Sequence, residues 1–394
     1  NDMAWFQGDA VRKNPNLKPE TTISKEIGAE VRLLDGRLTA DVTYYDKYTR
    51  DQIVESELSY LSNYQRVIIN SGKISNKGWE ISVSGVPVKV KNFEWKTIFN
   101  WSKNNSMVES LPEGIDKIQI GSGVYNVKSY AEVGKPYGAI YAKTFKRDAE
   151  GYILCQLDGS PKEGQDYEYL GCVQADWRGG WNNVFRLGNF SFSVMFDFQK
   201  GGKFFSQTSI QSSVDGQSVK SLEGRDADFF SRKILGESDE ERYGFMRPQN
   251  ANTPTANGQV YPDWGRPKGV VLPNCRYDED VEGLAGQQVL GYCTPERYWM
   301  HYTSRDISRF IYDASYVKLR EITVSYDLPK KWLRKTPFQT FRVAAVGRNI
   351  ATLFANTQHG LDPQATSTTG NAQGFERGFN LPSATYGFDI KVSF

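Results

Sequence analysis

Few residues of this sequence stand at the spacings that catalysis requires. The two histidines are His301 in YWMHYTSRD and His359 in TQHGLDP, and neither has a second ligand at the spacing of a zinc site. The sequence has no nucleophile elbow, phosphate-binding loop or His-Glu-x-x-His helix, and GSGVYNV at 121–127 lacks the strand–helix context of a nucleotide site. We therefore expect no enzymatic activity, no cofactor and no metal site.

Four cysteines could form disulfide bonds. They fall into two pairs that are local in sequence, and none has the Cys-x-x-Cys spacing of a metal or redox site. Four cysteines allow three connectivities, and proximity along the chain favours Cys155–Cys172 and Cys275–Cys293 in an oxidising compartment. Four free thiols are the alternative interpretation.

Two acidic runs and a set of aromatic residues could bind ligands or partners. The runs ESDEER (237–242) and RYDEDVEG (276–283) lack the ligand spacing and central glycine of an EF-hand loop, so a solvated charge run is the simpler interpretation. The aromatic residues could stack on sugars, hold peptide side chains or, as we favour, pack the loops together: Tyr125, Tyr130, Tyr137, Tyr141, Trp264, Tyr292, Tyr298 and Trp299. No substrate-binding residue is assigned.

Composition excludes several classes of protein. The 394 residues carry a net charge of only +2, which gives no argument for a nucleic-acid partner. No apolar run is long enough for a transmembrane helix. The first residues, NDMAWFQGDA, lack the features of a signal peptide. We expect either that a signal was removed or that the chain begins within a longer protein.

Strands with two different faces are the elements that the sequence predicts. In the final segment, SATYGFDIKVSF, polar residues alternate with one apolar set: Ala384, Tyr386, Phe388, Ile390, Val392 and Phe394. The same period of two occurs in ISKEIGAEVRL, RLTADVTYYDKY, KGWEISVSG, FEWKTIFNW and NFSFSVMFDFQ. In YVKLREITVSY the apolar set changes parity, which predicts a β-bulge near Arg320–Glu321.

The connections between these strands alternate strictly between short and long. About nine strands are predicted, near residues 22–33, 37–54, 68–86, 92–107, 177–187, 190–200, 313–326, 339–353 and 383–394. The short turns are 34–36, 87–91, 187–189 and 328–337; the long polar connections lie near 56–70, 108–177, 201–312 and 355–382. Consecutive hairpins then place all the long loops at one end of the sheet. This arrangement is typical of an outer-membrane β-barrel, whereas a soluble sandwich does not require it.

The fold class is therefore all-β, an antiparallel transmembrane β-barrel with long extracellular loops. Its outer face would contact outer-membrane lipid and its polar face the lumen. Aromatic residues near strand ends suit the two interfacial girdles: Tyr44, Tyr45, Trp101, Trp181, Tyr326 and Tyr386.

Eight segments of the sequence carry a family resemblance: NPNLKPETTISKEIGAEV, RLTADVTYYDKYTRDQIV, NKGWEISV, ADWRGGWNNVFRLGNFSFSVMFDFQKGGKFFS, DASYVKLREITVSYDLPKKWL, FRVAAVGRNIATLF, HGLDPQ and GFNLPSATYGFDIKVSF. In these segments the sequence resembles the SusC/RagA-type TonB-dependent transporters. The segments occur in the order of the family and together span nearly the whole chain, although the loop at 201–312 is not covered in detail.

The resemblance implies a 22-strand barrel with an N-terminal plug, in the outer membrane of Bacteroidota. It also implies a SusD-like surface lipoprotein as partner, energy from TonB, and import of oligosaccharides or peptides. The apolar set Tyr386, Phe388, Ile390, Val392 and Phe394 resembles the strand that signals barrel assembly.

Residues 1–394 correspond by this resemblance to the C-terminal part of such a barrel, about nine strands of 22. The plug, the TonB-contacting segment and the first strands are absent from this chain. We expect the remaining N-terminal part to complete the ring. A passive outer-membrane pore or a surface adhesin built on a similar barrel is the alternative.

Overall fold

The architecture is a long antiparallel sheet with smaller sheets in its connections. The structure, a computed structural model, describes residues 11–57, 64, 66–70, 72–157, 159–222, 270–293, 298–357, 361–365, 373–378 and 383–394. Within these ranges no helix is both long and apolar enough to cross a membrane.

In the described part of the chain, nine strands form the main sheet, and each pairs with the next one along it. In spatial order they are β2 (Thr21–Leu33), β3 (Leu38–Arg50), β6 (Lys73–Val90), β7 (Phe93–Ser110), β13 (Trp177–Leu187), β14 (Phe190–Lys200), β19 (Tyr316–Asp327), β20 (Thr340–Ala355) and β22 (Thr385–Ser393). The predicted strand count and the all-β antiparallel fold are confirmed.

The register of the sheet keeps the two faces separate. Residues opposite each other on paired strands share a face, and the apolar set of one strand lies opposite that of the next. The predicted β-bulge is present: Met195 pairs with Glu321 and Phe196 with Leu319, so Arg320 is the extra residue. Without it the apolar set of β19 would change faces partway along the strand.

The boundaries of β6 differ from the prediction at both ends. A single strand over 68–86 was expected, but Arg66–Asn70 forms β5, which pairs with β4 (Ile53–Glu57) in a separate small sheet. At the other end β6 continues to Val90, because an irregularity between Gly85 and Val88 restores its pairing with β7. The expected turn at 87–91 is therefore confined to Lys91–Asn92.

The described parts of the long connections are folded. Within the described residues, four smaller sheets accompany the main one. Their strands are β1 (Val11–Arg12), β4, β5, β8 (Lys117–Ser122), β9 (Lys128–Glu132), β10 (Ala139–Phe145), β11 (Ile153–Cys155), β12 (Glu163–Cys172), β15 (Lys203–Ser206), β16 (Val270–Tyr277), β17 (Gln288–Cys293), β18 (Ile311–Asp313) and β21 (Phe375–Glu376).

Short helical segments complete the connections. Helix α1 (Gln207–Val214) begins after Ser206, whose hydroxyl accepts the N–H of Ser209. Helix α2 (Lys330–Leu333) lies in the turn between β19 and β20. Two 3-10 helices, Val219–Leu222 and Ile307–Phe310, and a π-helical turn, Tyr298–Tyr302, lie in the long connection after β15.

Candidate functional site

The outer face of the main sheet is apolar and uncovered. On β22, Phe388 is 86% exposed and Ile390 62% exposed. They lie opposite Ala345 and Val343 of β20, so the apolar set continues onto the next strand. A contiguous apolar band of this extent is unusual in a soluble monomer and marks a surface that contacts lipid or another apolar partner.

Aromatic residues border this apolar face at both ends. At the turn end, the ring centroids of Phe190 and Tyr326 are 4.6 Å apart and those of Phe338 and Phe394 5.2 Å apart. At the loop end, the rings of Tyr44 and Trp79 are 4.9 Å apart, and the Lys77–Asp46 ion pair follows on the same face, 3.0 Å between Nζ and Oδ2.

Tyr45 is the exception among the predicted girdle residues. Its hydroxyl donates to Asn104 Oδ1 at 3.0 Å, and its neighbour across the strand pair is Gly78. It therefore lies on the polar face. The reason is the period of the strand, which places Tyr44 and Tyr45 on opposite sides.

Two polar side chains on the apolar face accept hydrogen bonds from tryptophan indoles. Trp95 Nε1 donates to Asn183 Oδ1 at 3.1 Å, and Trp181 Nε1 donates to Thr97 Oγ1 at 2.9 Å. In hydrocarbon an unsatisfied polar group costs several kcal/mol. These cross-strand pairs remove that cost, so both polar residues are compatible with a lipid-facing surface.

The polar face carries a network around Lys318, the most deeply buried cation of the described sheet. Its side chain is 0% exposed. Lys318 Nζ lies 2.6 Å from both carboxylate oxygens of Asp362 and donates to Gln364 Oε1 at 2.9 Å. Gln364 Nε2 in turn donates to the Tyr316 hydroxyl at 2.5 Å, and Arg320 Nη2 donates to Gln364 Oε1 at 2.8 Å. The connection between β20 and β22 is thereby fastened to the polar face of β19.

The period of two predicts that Lys318 lies on this face, but sequence analysis missed its partners. Asp362 and Gln364 belong to the HGLDPQ segment, which has no periodicity to orient them. The signal that could have found them is chemical: a lysine at the loop end of a strand requires a carboxylate if it is buried.

Ion pairs across neighbouring strands continue the polar face. Arg342 Nε lies 2.7 Å from Asp327 Oδ1, and Arg348 Nε lies 2.9 Å from Glu321 Oε2. Arg320 pairs with Asp197. The face thus carries paired charges, as expected of a barrel lumen.

The folded connections form a platform with its own core beyond the loop end of the sheet. Its buried side chains come from distant parts of the chain: Val127, Ile140, Phe145, Cys155, Phe205, Ile210, Cys275, Trp299, Phe310 and Phe375. Burial of apolar side chains contributes roughly 1.5–3 kcal/mol each. The connections are therefore held as a folded unit.

Ion pairs hold the platform together at Asp278. Its carboxylate accepts Lys146 Nζ at 2.9 Å and Lys162 Nζ at 2.7 Å. Burial alone would raise the pKa of Asp278, but the hydrogen bonds from Lys162 and Lys146 outweigh it and lower the pKa to about 2. The run 276–283 was expected to be a solvated charge run; its Asp278 is instead buried, because the two lysines compensate its charge.

The structure places the cysteines on two of the small sheets: β11, β16 and β17 form one, and β12, which carries Cys172, belongs to the other. Cys155 on β11 and Cys275 on β16 are buried in the platform core, and Cys293 lies on β17. Cys172 is a free, half-buried thiol, and burial raises its pKa. Its S–H donates to the Tyr137 carbonyl at 3.6 Å. Because Cys172 is free, the pair Cys155–Cys172 is not formed in this structure. The pair Cys275–Cys293 stays a prediction.

Several loop aromatic residues pack inside the platform. Tyr298 and Trp299 are each 1% exposed and meet edge to face at 5.1 Å. Tyr141 is also buried and contacts Tyr130 at 5.1 Å. These residues therefore pack the loops together, as the favoured interpretation of the sequence expects. Trp264 and the run 237–242 lie outside the described residues.

The potential metal ligands do not assemble in the described part of the chain. No group of three or more His, Cys, Asp or Glu side chains there is arranged to hold a metal ion. His301 lies exposed in the π-helical turn, and His359 lies outside the described residues.

Comparison with known proteins identifies the class of this fold. The family model described as TonB dependent receptor-like, beta-barrel matches residues 2–140. TonB-dependent receptor P3 of Formosa agariphila is 24% identical over 95% of this chain and 33% of its own length. TonB-dependent receptor SusC of Bacteroides thetaiotaomicron is 29% identical over 26% of this chain and 10% of its own length.

Solved structures give the same result for the fold. The RagAB peptide transporter matches with a TM-score of 0.59 at 17% identity, over 97% of this chain and 36% of that chain. The RagAB peptide importer in its closed-closed state matches with a TM-score of 0.61 at 18% identity, over the same 97% and 36%.

The two faces of the sheet agree with these matches, which show that the chain is similar to the β-barrel of TonB-dependent receptors, a class of outer-membrane proteins. The resemblance to the SusC/RagA type is confirmed. The chain spans a third or less of the length of the curated relatives that it matches.

Proposed function

We propose that this chain forms part of the wall of a SusC-like, TonB-dependent nutrient importer that takes up oligosaccharides or peptides. One observation carries the proposal: the nine-strand sheet and its folded connections follow RagA-type architecture over 97% of the chain. SusC is among the relatives, and the structural neighbours are described as a peptide transporter. The oligosaccharide class rests on the resemblance of the sequence to the SusC/RagA type, and the peptide class rests on that resemblance and on these neighbours.

The proposal includes a SusD-like lipoprotein as the external partner. The platform supports it, because its buried core makes the connections a fixed surface at the loop end. A lid that stays on such a surface would bury over about 2,000 Å². An N-terminal part of the same receptor would supply the strands that close the ring. It would also supply the plug and the contact with TonB.

The test is affinity purification of the full-length receptor through a tag, in mild detergent. We expect a lipoprotein to co-purify in constant ratio. Removing the platform hairpin 270–293 should reduce its recovery while the barrel still assembles. Repeated isolation of an assembled receptor alone would contradict the partner.

Conductance separates the importer from the passive alternatives. A plugged importer reconstituted in planar bilayers should show no steady open channel, whereas a passive pore conducts without TonB. Uptake of the nutrient by cells should also stop when TonB is absent. Uptake that continues without TonB would contradict the energised mechanism.

A further inference from the structure

The turn between β19 and β20 carries an exposed cluster of positive charge. Its sequence is LPKKWLRKTPF, and four basic side chains are exposed: Lys330, Lys331, Arg334 and Lys335. Trp332, which lies between them in the sequence, is 60% exposed. This turn lies at the short-turn end of the sheet, opposite the platform.

The backbone of the turn holds these side chains in a fixed arrangement. The N–H of Trp332 donates to the Pro329 carbonyl at 2.9 Å, and the N–H of Thr336 donates to the Leu333 carbonyl at 2.9 Å. Helical residues follow each other by about 100°, so Lys330, Lys331 and Arg334 share one side, Trp332 lies on the other side, and Leu333 falls between the two. Leu333 is 6% exposed and anchors the turn.

The charges of this cluster are uncompensated within the described chain. None of the four cations comes within 4.0 Å of a described carboxylate oxygen. The turn between β6 and β7, at the same end of the sheet, differs, because Lys89 Nζ lies 3.3 Å from Glu94 Oε2. Four like charges on one turn repel each other, so a negatively charged partner would stabilise the arrangement.

The level of the turn relative to the membrane follows from its neighbours. The Phe338 ring contacts Phe341 at 5.9 Å and Phe394 at 5.2 Å, in the aromatic border of the apolar face. Such borders lie at the depth of the lipid headgroups. The cluster is therefore within reach of headgroup phosphates, and the exposed indole of Trp332 suits the same interface.

We propose that Lys330, Lys331, Arg334 and Lys335, together with Trp332, form a binding site for anionic phospholipid headgroups of the inner leaflet. The cations bind the phosphate, and Trp332 lies at the boundary of the acyl chains. A soluble anion would account for the lysines but leaves an exposed indole unexplained. The proposal of this site rests on the location of the chain in the outer membrane and does not depend on which substrate is imported.

Native mass spectrometry of the full-length receptor tests the site. The receptor in mild detergent is titrated with phosphatidylglycerol, with phosphatidylcholine of the same acyl chains, and with inorganic phosphate. Each basic residue near an anionic surface changes affinity about fivefold. We expect phosphatidylglycerol to be retained over phosphatidylcholine by at least about tenfold, with a preference that falls as salt is raised.

Three variants make the result specific. The variant K330Q/K331Q/R334Q/K335Q should lose the preference, and K330R/K331R/K335R, which keeps the charge, should retain it. The variant K89Q/K91Q changes the turn between β6 and β7 and should leave the preference unchanged. A glutamine variant that still prefers phosphatidylglycerol overturns the proposal. Displacement of the lipid by millimolar inorganic phosphate, with no difference between the two lipids, assigns the site to a free anion and overturns it as well.

Discussion

The buried Lys318 shows how one side chain fixes a connection of the barrel. Replacing Asp362 with Asn leaves this cation without its carboxylate, and breaking a buried pair in this way costs about 3–5 kcal/mol. We expect segment 361–365 to detach from β19. Hydrogen exchange of its amides in the full-length receptor measures the change.

A matched pair and a rescue variant control this experiment. Arg348, whose side chain is 68% exposed, pairs with Glu321. Replacing it with Gln should cost only about 0–1 kcal/mol. The double variant K318M/D362L removes both charges and should recover much of the protection. Unchanged exchange in D362N would show that the network does not hold the segment.

Asp278 gives the platform a dependence on acid pH. Its pKa is lowered from 3.8 to about 2 in the folded protein. A carboxyl with a depressed pKa stabilises the fold above its unfolded pKa, and the contribution is lost as pH falls through the folded pKa. We therefore expect the platform to weaken between pH values near 3.8 and 2.

Limited proteolysis of the receptor at pH values across this range, with an acid-tolerant protease, measures the effect. Asp278→Asn should raise cleavage at neutral pH and flatten the dependence. Asp280, which is 69% exposed and also pairs with Lys162, is the control. A profile identical in D278N and the parent protein would refute the assignment.

At the level of elements, substitutions on strand β22 can test which face of the sheet contacts the lipid. Ile390 lies opposite Val343 on the apolar face, and Lys391 lies opposite Arg342 on the polar face. If Ile390 is near the membrane midplane, Ile390→Arg should cost about 2–4 kcal/mol. Lys391→Arg keeps a charge facing water and should be nearly neutral. Both variants are folded into lipid vesicles, and guanidinium titration measures the free energy of unfolding of each. Equal free energies would contradict the assignment of the Ile390 face to the lipid.

The sequence predicts the strands of the wall well because each carries its own signal. Alternation gives the faces, and the change of parity in YVKLREITVSY predicts the bulge at Arg320. The misplaced boundary at 68–86 has a physical cause. Residues 66–70 are as suited to a strand as those after them, and only their pairing with Ile53–Glu57 shows that they belong to another sheet.

The platform and the polar network could not be predicted in the same way. Phe205, Cys275 and Phe375 share one core although they are distant in sequence. Lys318 and Asp362 likewise meet across 44 residues of sequence. Such contacts depend on tertiary packing, and the connections between strands carry no period that would reveal it.

At the scale of the whole molecule, the two edges of the main sheet determine what else the receptor must contain. Strands β2 and β22 lie at opposite edges of nine strands. Since neighbouring strands are antiparallel and their number is odd, both edge strands run in the same direction. They cannot close the ring by antiparallel pairing with each other, and bacterial single-chain barrels have even strand counts.

We predict that both edges pair with strands from elsewhere in the receptor, because an open edge in lipid leaves N–H and C=O groups unsatisfied at several kcal/mol each. In the full-length receptor, hydrogen exchange should show protection of the β2 amides that point away from β3, to a degree similar to the central strand β13. Residues 1–394 produced alone should lack that protection. Cysteine pairs placed between β2 and β22 should fail to cross-link in the receptor, whereas matched pairs between β20 and β22, such as positions 343 and 390, should cross-link readily. Efficient cross-linking of β2 to β22 would show a ring closed by these nine strands and would refute the prediction.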